Sequence, residues 1–220
     1  MSSLPALISA LALMQSATMT EAGRQVQAQE AERLSTCLAL VETDPEAAYE
    51  DGLDWLADGG RPGARQCAAV ALIALGHPGE GAARLEDLAN APDGGDIAAR
   101  TGYLGQAGNA WLLAGAPEAA EVALTNALKL APGNTDLLKD RAVALIASEQ
   151  WQRAINDLDT VADDAPLDAD GLALRARAYL ALERFGLAMN DVEAARSMAP
   201  DNIDILVLRG EIREAQRLSG

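Results

Sequence analysis

The chain has 220 residues, of which 50% are apolar and only 3% are aromatic, and its 33 acidic and 17 basic residues give a formal net charge of −16. This charge argues against nucleic acid as a partner, because phosphate binding requires a basic stripe and the sequence shows none. Abundant alanine with few aromatic residues suits closely packed helices, so the composition predicts a single soluble helical array.

The N-terminal 20 residues contain an apolar segment, Leu4–Met14, of the length typical of a signal-peptide core. It is shorter than the roughly 20 residues that span a bilayer as a helix. The first basic residue is Arg24, so no positive charge precedes the apolar core. The segment predicts export to a bacterial periplasm. Its cleavage site is not identified, but if the segment is removed the mature protein starts between Ala17 and Gly23. The alternative is a cytoplasmic adaptor whose apolar segment docks on the array or on a membrane protein.

Residues 21–100 are predicted to form helical hairpins that repeat imperfectly. Asp44 and Pro45 form an N-cap followed by a first-turn proline, which places a boundary between two helices. Pro62–Gly95 spans one period of the repeat described below, although Arg65 replaces a large apolar residue. Residues 96–100 are interpreted as an added first turn of the following helix.

The C-terminal half contains three copies of one pattern, at residues 101–134, 135–168 and 169–202. Each copy ends near a proline, and these prolines lie 34 residues apart: Pro132, Pro166 and Pro200. Small residues recur at the eighth position of each copy and large apolar residues at the twenty-fourth. These residues are Gly108, Ala142 and Ala176, and Leu124, Leu158 and Val192. Self-similarity at this period predicts a helical repeat array.

The pattern resembles the tetratricopeptide repeat, a pair of antiparallel helices with small residues where the backbones approach and large residues between them. The resemblance implies an all-α, right-handed α-α superhelix like those of bacterial members of the family. It also implies a non-catalytic module that binds proteins or peptides.

A fourth copy begins at Ile203 and stops after one helix, which is predicted to end at Leu218. Repeat arrays need a terminal element with one apolar and one polar face, so this segment is predicted to be a C-terminal capping helix. Arg209 has no second helix in its own copy, and we expect it to reach back to Asp191 or Glu193.

Arginine and aspartate recur together inside the repeats. Where the seventh position holds arginine, the position 16 residues later holds aspartate, and in the remaining copy both positions hold alanine. Because the two positions face each other across a hairpin, we predict the ion pairs Arg141–Asp157 and Arg175–Asp191. Such pairs are expected mainly to fix register, since partly buried ion pairs often add little net stability.

In the family that the pattern resembles, the second, fifth and ninth residues of the first helix face a concave groove. The predicted partner-binding residues are therefore Gly102, Gly105, Asn109, Lys139, Val143 and Arg177. Glycine inside a helix costs about 1 kcal/mol relative to alanine. Either a partner lies close to the helix, with Asn109 bonding its backbone, or the glycines let the preceding repeat approach. Lys139 and Arg177 are expected to bind a carboxylate, although the groove lacks the lysines and asparagines with which family members clamp chaperone C-termini.

Two cysteines, Cys37 and Cys67, lie on the first helices of successive predicted hairpins, and such helices pack side by side. A disulfide would contribute about 3 kcal/mol and would suit an oxidising compartment, whereas two buried thiols are the alternative. With a single histidine, His77, the cysteines do not form a metal site.

No catalytic or cofactor site is predicted, because no histidine stands near a candidate nucleophile and no glycine-rich loop follows a strand. The sequence therefore predicts an interaction module that binds a protein or peptide and neither nucleic acid nor a small-molecule substrate. Cell-envelope assembly is the expected setting. A regulatory or assembly subunit of an enzyme complex is the alternative.

Overall fold

The computed structural model describes residues 21–219, and the apolar run Leu4–Met14 lies outside them. The described residues form 11 helices and no strands. The helices are α1 (Glu21–Thr43), α2 (Pro45–Ala57), α3 (Pro62–Ala74), α4 (Pro78–Asn90), α5 (Ile97–Leu113), α6 (Pro117–Leu130), α7 (Thr135–Ala147), α8 (Trp151–Asp164), α9 (Ala169–Ala181), α10 (Phe185–Met198) and α11 (Ile203–Leu218).

Helices α1 to α10 form successive hairpins, and α11 packs on α10 and α9. The first helices of several successive hairpins also touch one another: α1 with α3, α5 with α7, α7 with α9, and α9 with α11. This row of first helices provides the face on which the predicted binding residues lie.

The turn inside four of the hairpins closes with one residue in the left-handed conformation. These residues are Gly76, Gly115, Glu149 and Glu183, with φ between 57° and 85°. The next backbone N–H then donates to a carbonyl five residues earlier, as from Gln150 to Leu145 at 2.7 Å. Glycine adopts this conformation without strain, whereas each glutamate costs about 1 kcal/mol there.

Side-chain caps start five of the helices. The capping residues are Asp44, Asp96, Asn134, Asp168 and Asn202, whose side-chain oxygens accept a backbone N–H two or three residues later. Because Asp96 caps α5, that helix has 17 residues, against 13 in α7 and α9. The added turn carries Ile97, which is 63% exposed.

Small residues fill the places where the two helices of a hairpin come close. Ala142 and Ala176 at the eighth position are fully buried, as are the large residues Leu124, Leu158 and Val192 that pack between the helices. At Gly108 an added Cβ would lie 2.4 Å from Cγ of Leu124. The first copy therefore tolerates only glycine where the next two copies hold alanine.

The N-terminal hairpins are joined covalently. Cys37 on α1 and Cys67 on α3 form a disulfide with Cα atoms 6.0 Å apart, and both residues are buried. Arg33 lies 4.7 Å from the ring centre of buried Trp55, and Arg61 binds Glu30 at 2.6 Å. Among residues 21–219, no helix has both the length and the apolar character that crossing a membrane requires.

Candidate functional site

Arg141 and Arg175 each bind the aspartate 16 residues later through two nitrogens. Arg141 donates to Asp157 from Nε at 2.8 Å and from Nη2 at 2.7 Å. Arg175 donates to Asp191 from Nε at 2.7 Å and from Nη2 at 3.0 Å. All four side chains are at most 19% exposed. The structure thus contains both ion pairs expected from the sequence, and the hydrogen bond to Asp191 raises the pKa of Arg175.

The same arginines also reach the residue 16 positions earlier, on the second helix of the preceding hairpin. Nη1 of Arg175 lies 2.8 Å from Oδ1 of Asp159, and Nη1 of Arg141 lies 3.3 Å from the hydroxyl of Thr125. Sequence reasoning missed these contacts, although the same spacing taken backwards would have found them. The arginines therefore link successive hairpins.

Within the described residues, the side chain of Arg209 on the capping helix bonds only to the residue 16 positions earlier, from Nε to Oε1 of Glu193 at 2.5 Å. Glu193 was one of the two partners expected from the sequence. Hydrogen bonds from Arg209 and Arg196 lower the pKa of the Glu193 carboxyl to about 2. This contact joins α11 to α10.

We call the face formed by the row of first helices the groove. The predicted binding residues lie along it. Between α5 and α7 the groove contains an open cleft of about 640 Å³, the first cleft. Its lining residues are Ile97, Ala98, Thr101, Gly102, Gly105, Ala131, Asn134, Asp136 and Leu137. Apolar and glycine surface makes up most of this lining, and Asp136 is the only charged residue among the described residues that form it.

The corresponding space between α7 and α9 is largely closed. Lys139, one repeat after Gly105, extends Nζ to 3.2 Å from Oδ2 of Asp168 and 3.7 Å from Oδ1 of Asp136. Only about 130 Å³ remains beside this ion pair. The hydrogen bond to Asp168 raises the pKa of Lys139. The first cleft is therefore open because glycine replaces the side chain that closes the next space.

The two groove glycines have different explanations. A Cβ at Gly105 would lie 3.0 Å from Cδ2 of Leu137, so this glycine lets the following repeat approach. The sequence argument had assigned that approach to the preceding repeat. A Cβ at Gly102 would meet no neighbouring atom of residues 21–219 within 4 Å. Internal packing therefore explains the absence of a side chain at Gly105 and not at Gly102.

Asn109 is also bound internally. Its Nδ2 donates to Oδ2 of Asp140 at 3.0 Å, across the boundary between two repeats. Burial raises the pKa of the Asp140 carboxyl. The sequence did not predict the contact with Asp140. Asp140 belongs to the next repeat and comes beside Asn109 only when the two repeats stack. A partner could use the Asn109 amide only by sharing or displacing this bond.

A second cleft of about 470 Å³ lies further along the groove, where α7 and α9 meet the start of α11, and Val143 and Arg177 line it. Its other lining residues are Ile146, Ala147, Asp170, Ala173, Leu174, Asn202, Asp204 and Ile205. Within residues 21–219, the exposed guanidinium of Arg177 has no ion-pair or hydrogen-bond partner. It is therefore the cation of the predicted set that remains available to a ligand.

One group of described residues has a spacing suited to a metal ion: Cys37, Asp51 and Cys67, whose ligand atoms lie within 4.8 Å of one another. The cysteines are bonded to each other and so have no thiolate to donate. The arrangement stabilises the N-terminal hairpins and does not hold a metal.

Residues 112–178 match the family model described as "Tetratricopeptide repeat". No curated protein sequence matches the chain. Among solved structures, the chain is similar to MamA, residues 41 to the end, from Desulfovibrio magneticus RS-1. The identity is 19%, the coverage is 73% of this chain and 96% of that one, and the TM-score is 0.59.

Two further structures are similar. TTC0263, a thermophilic TPR protein in Thermus thermophilus, is 19% identical over 83% of this chain and 98% of that one, with a TM-score of 0.55. The first TPR of Spaghetti (RPAP3), bound to an HSP90 peptide, is 21% identical over 53% of this chain and 93% of that one, with a TM-score of 0.50. At these identities the likeness shows the fold, and it confirms the predicted all-α superhelix.

Proposed function

We propose that this chain, a tetratricopeptide-repeat protein, is a non-catalytic interaction module that binds an extended segment of a protein partner along its groove. The observation that carries the proposal is the first cleft. It is open, mainly apolar and bordered by Gly102, at which no contact with the described part of the chain requires glycine.

The conformational cost of Gly102 and the exposed apolar rim both favour a bound partner in the first cleft. Glycine within α5 costs about 1 kcal/mol relative to alanine, and among residues 21–219 no packing contact offsets that cost at Gly102. Ile97 adds an apolar side chain at the rim that is 63% exposed. Burying apolar area against a partner stabilises a complex by roughly 25 cal/mol per Å² before the losses that accompany association.

A peptide is the kind of occupant that a solved relative of this fold supports. The similar domain of Spaghetti (RPAP3) is bound to a peptide. An extended segment presents side chains at regular intervals, so it can reach successive clefts along a row of helices. We therefore propose a peptide segment rather than a small molecule as the ligand.

The setting that we propose is the bacterial cell envelope, after export directed by the apolar run Leu4–Met14. The Cys37–Cys67 disulfide supports an oxidising compartment. Intact mass of the protein from fractionated native cells, measured without reductant, tests export. We expect a periplasmic species that begins between Ala17 and Gly23 and is about 2 Da lighter than its reduced form. A full-length, reduced chain in the cytosol would favour the cytoplasmic adaptor.

The binding proposal is tested with two matched substitutions, Gly102→Leu and Gly210→Leu. Both glycines lie inside helices and have open space where a side chain would begin, but Gly210 is not among the lining residues of either cleft. Quantitative mass spectrometry of proteins captured by each variant in the native host should show selective loss of a partner from Gly102→Leu. If both variants retain the same proteins, the partner does not use the first cleft.

A further inference from the structure

We infer that the groove selects a partner segment in which a large apolar residue lies close to lysine or arginine. This inference rests on the proposed function and adds the chemistry of the ligand. It depends on two independent features of the groove: the apolar lining of the first cleft and the excess of acidic over basic side chains along the groove, with the unpaired carboxylates at the second cleft.

The lining of the first cleft favours an apolar side chain of the partner segment. Ile97, Ala98, Ala131 and Leu137 supply its walls, and the side-chain-free positions Gly102 and Gly105 border it. Its volume of about 640 Å³ accommodates a leucine or aromatic side chain together with the backbone that carries it. A charged side chain would lose its hydration there without a buried counter-ion, which is costly.

The acidic residues along the groove favour a lysine or arginine of the partner segment, close to its apolar residue. Asp136 borders the first cleft with a side chain that is 86% exposed, and Asp170 and Asp204 border the second. Among the described residues, the side chains of Asp170 and Asp204 have no ion-pair partner. Lys139 already lies 3.2 Å from Asp168 and 3.7 Å from Asp136, so Arg177 is the cation of the predicted set that is left to balance Asp170 and Asp204.

The internal pairing of Lys139 changes the expectation drawn from the sequence. Lys139 and Arg177 together were expected to bind an acidic group. With Lys139 bound to Asp168 at 3.2 Å, acidic residues predominate along the groove. The net charge of −16 adds a long-range field that steers basic segments toward the protein and repels acidic ones.

The first-turn aspartates also have a role that needs no ligand. Asp136, Asp170 and Asp204 each lie in the first turn of a helix, where a negative charge interacts favourably with the helix dipole. Glu118 occupies the same kind of position on α6, away from both clefts. Neutralising Glu118 therefore controls for the dipole effect, because it should alter helix stability without altering binding.

The experiment uses a phage-displayed library of random peptides of about 12 residues, which extend to roughly 40 Å. The library is selected against the full-length, oxidised protein. We expect enriched peptides to contain Leu, Ile, Phe or Trp close to Lys or Arg. The enrichment should disappear on Gly102→Leu and persist on Gly210→Leu.

Affinity measurements on the most enriched peptide then test the charges. By fluorescence anisotropy, the double variant Asp170→Asn with Asp204→Asn should bind about fivefold more weakly, as expected for the loss of two exposed ion pairs. Glu118→Gln should bind like the wild type, and added salt should weaken wild-type binding.

The remaining outcomes separate the two proposals. If peptides depend on Gly102 but are acidic or uncharged, the groove binds peptides and the inferred chemistry is wrong. The same conclusion follows if the Asp170 and Asp204 variant binds as tightly as the wild type. If no peptide is enriched in a manner that depends on Gly102, both the inference and the proposed binding mode are overturned.

Discussion

Arg175 binds Asp191, 16 residues later, through Nε at 2.7 Å and Asp159, 16 residues earlier, through Nη1 at 2.8 Å. One guanidinium therefore contacts the second helix of its own hairpin and the second helix of the hairpin before it. Arg141 repeats the arrangement with Asp157 and Thr125. These contacts fix both the pairing of helices and the stacking of hairpins, so the arginines are structural and leave the groove to other residues.

Removal of Arg175 should destabilise the array because it leaves two carboxylates without their cation. Asp191 has a side chain only 12% exposed, so Arg175→Ala is expected to lower the free energy of unfolding by about 3 kcal/mol. The double variant with Asp191→Ala should recover part of this loss. Urea denaturation measures the free energy of unfolding of the single and the double variant.

Arg217→Ala is the control. It breaks an exposed ion pair with Glu214 and should leave the free energy of unfolding nearly unchanged. Equal effects of Arg175→Ala and Arg217→Ala would contradict the role given to Arg175.

Two glycine-to-alanine substitutions should change stability in opposite directions. At Gly108 the new Cβ would lie 2.4 Å from Cγ of Leu124, so Gly108→Ala should destabilise by about 1–3 kcal/mol. At Gly210 a Cβ would have no packing neighbour within 4 Å among the described residues, so Gly210→Ala should stabilise by up to about 1 kcal/mol. Thermal unfolding followed by circular dichroism distinguishes the two. The packing account is wrong if Gly108→Ala melts at or above the wild-type temperature.

The disulfide should stabilise the N-terminal hairpins selectively. Replacing both Cys37 and Cys67 with alanine is expected to cost about 3 kcal/mol, because the bond closes a loop across 30 positions. Hydrogen exchange should show the largest loss of protection in α1 and α3, with α9 and α10 unchanged. Reductant should reproduce the effect in the wild type and have no effect on the double variant. Equal protection of α1 with and without reductant would show that the bond does not hold these helices together.

Protonation of Glu193 at acid pH should weaken the packing of the capping helix α11 on α10. The carboxyl has its pKa lowered from 4.5 to about 2, first by the hydrogen bond from Arg209 and then by that from Arg196. A depressed pKa means that its stabilisation is complete above about pH 4.5 and is lost as the pH falls through 2. Glu193→Gln removes this contribution. The stability difference between the wild type and this variant should therefore be constant near neutral pH and shrink below pH 4.5, as measured by hydrogen exchange of α11. A difference that does not change down to pH 2 would refute the assignment.

The sequence predicted the fold class because the relevant contacts are periodic. The 34-residue repeat places alanine or glycine opposite Leu124, Leu158 and Val192, and this pattern determines how each hairpin packs. The forward pairs of Arg141 and Arg175 could be predicted for the same reason, since both partners lie within one repeat. The class of the superhelix is confirmed by the similar solved structures.

The state of the groove could not be predicted in this way, because it depends on contacts between repeats. Asn109 binds Asp140, and Lys139 binds Asp168, which caps the following repeat. Gly102 and Gly105 are chemically identical, yet only Gly105 faces Leu137 at 3.0 Å. These differences arise from how far one repeat is rotated and shifted on the next, which the pattern within a repeat does not specify.

The most direct test of groove binding places a photo-crosslinking residue at Ile97 or, as the control, at Val122 in the native host. Ile97 borders the first cleft, whereas Val122 lies on α6 outside it, and their exposures are similar at 63% and 59%. We predict a light-dependent adduct with a discrete partner at Ile97 that is absent at Val122 and is lost when Gly102→Leu is added. Adducts at Val122 alone, or equal adducts at both positions, would contradict the proposal that the partner lies in the groove.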